Sequence, residues 1–251
     1  MLRKIKATIR SLLPAIVHVN WVKRKDGSKL KAFLPNKLIR SIKTSHSLTI
    51  KIATRDTNGL GPQPLWDGYE GNKDGVIERE PSAVKTSADL GDLYSNIVQY
   101  FKPENIVEFG TAFGVSGMYF LAGLESNQKG KLFTFEPNEA WRDVAIRNME
   151  RISDRFESVL GTFEENIDLI LGDNQKIDLA FIDAIHTKEF VLPQLDLVIK
   201  NSSDGAIIIL DDINFSESMK DCWKQVSQDE RFISSVTVGR RIGILELACK
   251  R

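Results

Sequence analysis

From about residue 85 onward the chain alternates short apolar, β-branched runs with stretches of helical periodicity. Runs at 106–109, 131–135, 156–160, 177–182, 206–210, 233–238 and 242–247 predict strands. Helical spacing over about 88–101, 114–123, 138–151, 163–171, 188–200 and 215–227 predicts the helices between and around them. Such alternation predicts an α/β fold: a Rossmann-like, doubly wound, mostly parallel sheet of seven strands with helices on both faces. Only Gly239-Arg240-Arg241 separates the last two runs, so the sheet should end in an antiparallel hairpin.

The rest of the chain divides into two further zones. Residues 56–84 are rich in turn signals such as Asn58-Gly59, Gly61-Pro62, Asp67-Gly68 and Asp74-Gly75, and read as a lid or linker containing Trp66 and Tyr69. Residues 1–55 form a basic extension. The expected domains are therefore 1–55, 56–84 and 85–251.

Charge sharpens this division. The formal net charge is zero, yet residues 1–55 hold 14 Lys/Arg against one acid, Asp26, leaving 20 bases against 33 acids in the remainder. Bases and aliphatics at near-helical spacing in the first 13 residues, followed by Lys23-Arg24-Lys25, point to peripheral attachment of residues 1–25 to an anionic membrane. The competing reading is a basic helix packed on the acidic domain of its own chain or of a partner. No apolar run reaches the ~18 residues of a membrane span, and no signal-peptide pattern is read, so the expected location is cytoplasmic, peripheral to the inner face of a membrane. With 42% hydrophobic and 27% charged residues the composition is that of an ordinary globular chain. Cys222 and Cys249 form no Cys-x-x-Cys or Cys/His cluster, which argues against zinc and for a reducing compartment.

In a doubly wound sheet, ligands bind beyond the carboxyl ends of the strands, so the residues after each strand carry the chemistry. Glu108-Phe109-Gly110-Thr111-Ala112-Phe113-Gly114-Val115-Ser116 follows the first strand. Its glycines allow a sharp turn against a ligand at a helix N-terminus. It matches neither the dinucleotide fingerprint nor a phosphate loop, because Ala112 and Val115 stand where glycines would be needed and no Gly-Lys-Ser/Thr is present. Glu136 closes the second strand, where a carboxylate can accept hydrogen bonds from both ribose hydroxyls. The plainer alternative is an acid favoured by a helix dipole.

These features together resemble the class I S-adenosylmethionine-dependent methyltransferases over about residues 85–248. Within that superfamily, the segment from Asp178 through Asp183 and His186 to Glu189, with Gly205 to Leu210 and Asp211-Asp212-Ile213, resembles the bacterial metal-dependent sugar O-methyltransferases. Catechol and caffeoyl-CoA O-methyltransferases are more distantly similar. The resemblance implies strand order 3-2-1-4-5-7-6. It also implies that Glu108, Gly110, Thr111, Ala112, Gly114, Ser116, Glu136 and Asp183 bind the cofactor. Gly161-Thr162-Phe163 would border the adenine, and Thr86-Ser87 the amino-acid end.

In the related families, acids after the fourth and fifth strands hold a metal. Asp183, Asp211 and Asp212 stand there, and clustered carboxylates without soft ligands suit Mg²⁺. Asp212 replaces the Asn of the catechol-type pattern, and the alternative for all three is helix capping. His186 occupies the place of a Lys in catechol-type relatives and, titrating near neutrality, fits a general base beside Asp183; Lys188 is the second choice.

The expected function is S-adenosylmethionine-dependent O-methylation of a sugar or glycoconjugate hydroxyl, with Mg²⁺ and a His base. Two alternatives stay open: methylation of a catechol-like small molecule, and a non-catalytic cofactor-binding protein recruited to an anionic surface. A nucleic-acid partner is disfavoured, since neither an Asn/Asp-Pro-Pro-Tyr signature nor a cysteine nucleophile motif occurs; a homo-oligomer is left open.

Overall fold

The structure, a computed structural model, describes residues 16–65, 77–171 and 175–249. The first described segment carries β1 (Ile16–Arg24), α1 (Lys29–Phe33), β2 (Leu38–Arg40) and α2 (Ser47–Asn58). A two-stranded ribbon, β3 (Gln63–Pro64) with β4 (Glu78–Arg79), and a 3-10 turn (Pro81–Ala83) lead into α3 (Ala88–Phe101). The alternating part follows: β5 (Asn105–Phe109), α4 (Val115–Asn127), β6 (Lys131–Glu136), α5 (Glu139–Met149), β7 (Phe156–Leu160), α6 (Phe163–Ile170), β8 (Ile177–Ile182), α7 (Lys188–Asn201), β9 (Ser202–Leu210), α8 (Glu217–Val226), β10 (Phe232–Val238) and β11 (Ile242–Leu247).

One sheet runs in the order β2-β1-β10-β11-β9-β8-β5-β6-β7. Counting β5 as the first strand, β7-β6-β5-β8-β9-β11-β10 is the implied order 3-2-1-4-5-7-6. Strands β7 to β9 pair in parallel through β6, β5 and β8, and β11 is antiparallel to both β9 and β10. The sheet is wider than the seven strands expected. β1 adds antiparallel to β10, with Val19 opposite Val238 and Trp21 opposite Val236, and β2 adds beyond it. Residues 16–40 therefore supply an edge of the sheet. The physical reason is a period-2 pattern: Val17 and Val19 are buried while His18 and Asn20 face water.

Both faces of the central strands are covered. Ile106, Leu132, Phe181, Ile207 and Ile209 face one core, with Tyr94 and Leu93 of α3, Phe120 of α4 and Met149 of α5. The alternate positions Val107, Phe109, Phe135, Ile182 and Leu210 face the other, with Phe163 of α6, Leu195 of α7 and Trp223 of α8. Each such fully buried side chain contributes roughly 1.5–3 kcal/mol. This double burial explains why the strands read as near-continuous apolar runs.

The first segment is stitched to this body by polar contacts. The Glu246 carboxylate of β11 accepts the Ser28 hydroxyl at 2.5 Å and the Lys29 and Leu30 N–H groups at 2.9 and 3.0 Å. Lys23 donates to the Asp229 carbonyl, and the Arg24 guanidinium lies 5.1 Å from the Trp21 ring centre. Asn148 of α5 donates to Thr57 of α2 and to the Phe113 carbonyl. No helix among the described residues is long and apolar enough to cross a membrane. The proposed membrane helix before residue 16, and Trp66 and Tyr69 of the expected lid, lie outside the described residues.

Candidate active site

The carboxyl ends of β5, β6, β8 and β9 meet at one edge of the sheet, and the sequence folds there for steric reasons. Gly110 has φ +84°, and a Cβ at this position would lie 2.4 Å from the Asp183 carbonyl oxygen, so β5 and β8 can approach only through glycine. The chain turns back through Ala112, itself left-handed, to Gly114, the N-cap of α4. Glu136 fixes this turn. Its Oε2 accepts the Ala112 N–H at 2.8 Å and its Oε1 the Asn138 N–H at 2.9 Å. Burial pushes the Glu136 carboxyl up to about 7, although both backbone donors pull it down.

Glu108 lies under the turn, fully buried, rather than in the cleft. It accepts the Thr134 hydroxyl at 2.6 Å, and Thr134 in turn meets the Thr111 hydroxyl at 2.5 Å. Burial pushes its carboxyl to about 7, while the Ser116 and Thr134 hydroxyls oppose the rise. Thr111 and Ser116 are likewise buried. Glu108 thus braces the turn from below.

After β7, Gly161 donates to the Glu136 carbonyl, which keeps this strand end beside the acid. Thr162 is spent on a capping box with Glu165 at the start of α6. The Phe163 ring lies in the core, 4.0 Å centre to centre from Phe109. Ser87 is the N-cap of α3 but makes no side-chain cap bond, and Thr86 is buried beside it. The β3–β4 ribbon reaches the site: Asn138 donates to the Pro64 carbonyl at 2.8 Å, and Leu65 packs on the Phe113 and Trp141 cluster.

Across the cleft, Asp183, His186, Asp211 and Asp212 come together as expected, with a partner that was not. Arg241, just before β11, donates from Nε to Asp211 Oδ1 at 2.8 Å and from Nη2 to Asp211 Oδ2 at 2.6 Å. Its Nε also lies 3.0 Å from Asp212 Oδ1. The His186 Nε2 sits 3.7 Å from Asp183 Oδ1 and 3.6 Å from Asp212 Oδ2. Burial lowers the His186 pKa, opposed by Asp212 and Asp211. Burial raises Asp183, with the Asp211 charge adding to it, and raises Asp212 similarly. Asp212 takes φ 49°, a backbone that Asp tolerates better than bulkier residues.

The expected Mg²⁺ site finds no support in this arrangement. Both Asp211 oxygens are engaged by a bidentate guanidinium, and among the described residues no group of His, Cys, Asp and Glu is disposed to hold a metal. The donor set does not fit an oxygen-coordinated divalent ion while Arg241 stays in place. Lys188 begins α7, its N–H bound to the Ser218 hydroxyl, and stands outside the cluster's ion pairs.

Sequence reasoning missed Arg241, Tyr94 and Phe215. Arg241 was within reach of it: β11 runs antiparallel to β9 with Gly243 opposite Leu210, so the residue before β11 must neighbour those after β9. Tyr94 is fully buried, and its hydroxyl is raised by burial and then by the Asp211 and Asp183 charges. Phe215 is 70% exposed, its ring 5.3 Å from the His186 imidazole. Neither carried a sequence signal.

Strand order, glycine turn and strand-end acids define the class of the molecule as a class I methyltransferase fold. Residues 107–213 match the sequence model of a methyltransferase domain. No curated protein is significantly similar to the chain. Among solved structures, cofactor-bound Rv0187 from MTB is 18% identical, covers 91% of this chain and 100% of its own, and superposes with a TM-score of 0.62. An O-methyltransferase from Bacillus cereus in complex with SAH is 20% identical over 89% of this chain and 98% of its own, with a TM-score of 0.59. TomG from Streptomyces achromogenes, an O-methyltransferase of tomaymycin synthesis in complex with SAM, is 13% identical over 89% and 97%, with a TM-score of 0.61. Residues 107–213 thus match a methyltransferase domain, and the chain shares the fold of solved O-methyltransferases that hold SAM or SAH.

Proposed function

We propose that the protein methylates a hydroxyl oxygen of a sugar or glycoconjugate, with S-adenosylmethionine as donor and His186 as general base. The observation that carries this reading is the imidazole held 3.6–3.7 Å from two carboxylates at the open edge of the sheet, across from Glu136. When bound, the cofactor supplies an electrophilic methyl group on a sulfonium.

Glu136 supports the cofactor assignment, since each of its oxygens accepts one backbone N–H and keeps a lone pair for a ribose hydroxyl. Gly110, Ala112 and Gly114 present backbone at the N-terminal end of α4, and Gly161 stands at the neighbouring strand end. Because burial holds His186 below its ordinary pKa, the imidazole is neutral at pH 7 and can accept the hydroxyl proton at Nε2. The imidazolium so formed is then stabilised by the Asp212 and Asp211 charges. The methyl moves from sulfur to oxygen, the proton moves to His186, and the products are a methyl ether and the thioether form of the cofactor.

Phe215 gives a second reading some weight: an exposed ring beside His186 also suits stacking on a catechol-like acceptor. Product analysis separates the two. Incubation with methyl-labelled cofactor and a panel of sugars, glycoconjugates and catechols should place label on a sugar hydroxyl; label only on phenols would sink the sugar reading.

For the basic arm, the reading narrows to Arg3, Lys4, Lys6 and Arg10, because residues 16–24 form a strand. Sedimentation with anionic vesicles tests it: the full chain should pellet, and a chain beginning at residue 16 should not. Equal partitioning would remove membrane attachment.

A further inference from the structure

Arg241 sits where the sequence calls for a divalent ion. Its Nε and Nη2 are committed to Asp211 at 2.8 and 2.6 Å, and Nε also serves Asp212. Its Nη1 makes no hydrogen bond to any described residue, and the side chain is 38% exposed. The other members of the cluster are three carboxylic acids and one imidazole, none of them a permanent cation. A guanidinium is always charged and offers five donors in a fixed fork, so it can hold two carboxylates and still present N–H groups outward.

We propose that Arg241 takes the place of a divalent ion in this site: its guanidinium neutralises Asp211 and Asp212 and presents Nη1 to an oxygen of the acceptor, so that methyl transfer needs no bound metal. This rests on the methyltransferase reading above for its acceptor, but the replacement of the ion stands on the ion pairs alone. A hydrogen bond from a cation to the reacting oxygen, or to its vicinal neighbour, aligns the acceptor and eases loss of its proton. It does so less than an ion would, which leaves His186 an essential share. The arrangement also explains why Asp212 stands where catechol-type relatives carry Asn: a second carboxylate is matched by a cation fixed in the fold.

Mn²⁺ titration of the full chain, read by the paramagnetic resonance of the free ion, tests the proposal without any acceptor. Wild type should leave the free signal unchanged. Arg241→Met should remove about one equivalent of Mn²⁺ per chain by freeing oxygen ligands, and adding Asp211→Asn should abolish that gain. Arg241→Lys, which keeps the charge, should stay silent like wild type. Arg241→Gln replaces the Met variant if that one does not fold, and a cooperative urea unfolding transition reports folding in each. Wild type that binds Mn²⁺ and loses it on Asp211→Asn would overturn the proposal, as would a folded neutral variant that binds none. The expected Mn²⁺ pattern in a chain that binds no S-adenosylmethionine would instead sink the methyltransferase reading and leave the replacement of the ion standing.

Discussion

Glu136 holds the backbone of Ala112 across 24 residues of chain, its Oε2 accepting the Ala112 N–H at 2.8 Å. The bond ties the end of β6 to the glycine turn after β5, so the residue proposed to bind the ribose also shapes the turn beside it. Glu136→Ala should therefore weaken S-adenosylmethionine binding by about 1.5–3 kcal/mol, the usual worth of hydrogen bonds to a charged group. Titration calorimetry reads the loss directly, and undiminished affinity in a folded variant would take Glu136 out of the site.

Cofactor affinity should also depend on pH. In the free protein burial raises the Glu136 carboxyl to about 7, so below that pH it carries a proton that must leave before two hydroxyls can donate to it. Affinity should fall about tenfold per pH unit below 7 and level off above it. In Glu136→Gln the profile should be flat and weak. A wild-type affinity constant from pH 5.5 to 8 would contradict the assignment.

Glu108 makes the matching prediction for stability. Its folded pKa is raised by burial to about 7 from 4.5, so the folded state holds more protons than the unfolded state between those values. That contribution is fully present below pH 4.5 and is lost as pH rises through 7. Urea denaturation should show wild type losing stability over this window, on the order of 1.4 kcal/mol per unit of pKa difference at most. Glu108→Gln should flatten the slope. An unchanged slope would mean that Glu108 stays ionised throughout.

Glu246 should anchor the first segment. Its carboxylate accepts Ser28, Lys29 and Leu30 together, and Glu246→Ala would leave these donors facing β11 without an acceptor. A loss of roughly 1–3 kcal/mol is expected from the buried unpaired groups, seen as a lower urea midpoint. A change below about 0.5 kcal/mol, the level of an ordinary surface substitution, would show that the segment is held by β1 alone.

Much of this molecule was legible in its sequence. Strands buried on both faces read as unbroken apolar runs, and the end of each such strand pointed to Gly110, Glu136, Asp183 and Asp211. What stayed hidden depended on contacts between distant residues. β1 alternates Val17, Val19 and Trp21, yet the surrounding lysines and arginines drew the reading toward a free basic arm. Thr162 and Phe163 looked like cleft residues because they follow a strand, but a capping box takes one and the core takes the other. Arg241 was passed over because a hairpin arginine is ordinarily a surface residue, although the pairing of β11 with β9 is what brings it to Asp211.

Methyl transfer from labelled S-adenosylmethionine to a sugar hydroxyl, timed in wild type and in His186→Ala at pH 7 with cofactor affinity measured in parallel, decides whether this cluster is the catalytic centre. The variant should bind the cofactor like wild type and transfer ~10²–10⁴ times more slowly, as expected for loss of a general base. Equal rates in the two proteins, or a wild-type chain that binds the cofactor and methylates no hydroxyl, would contradict it.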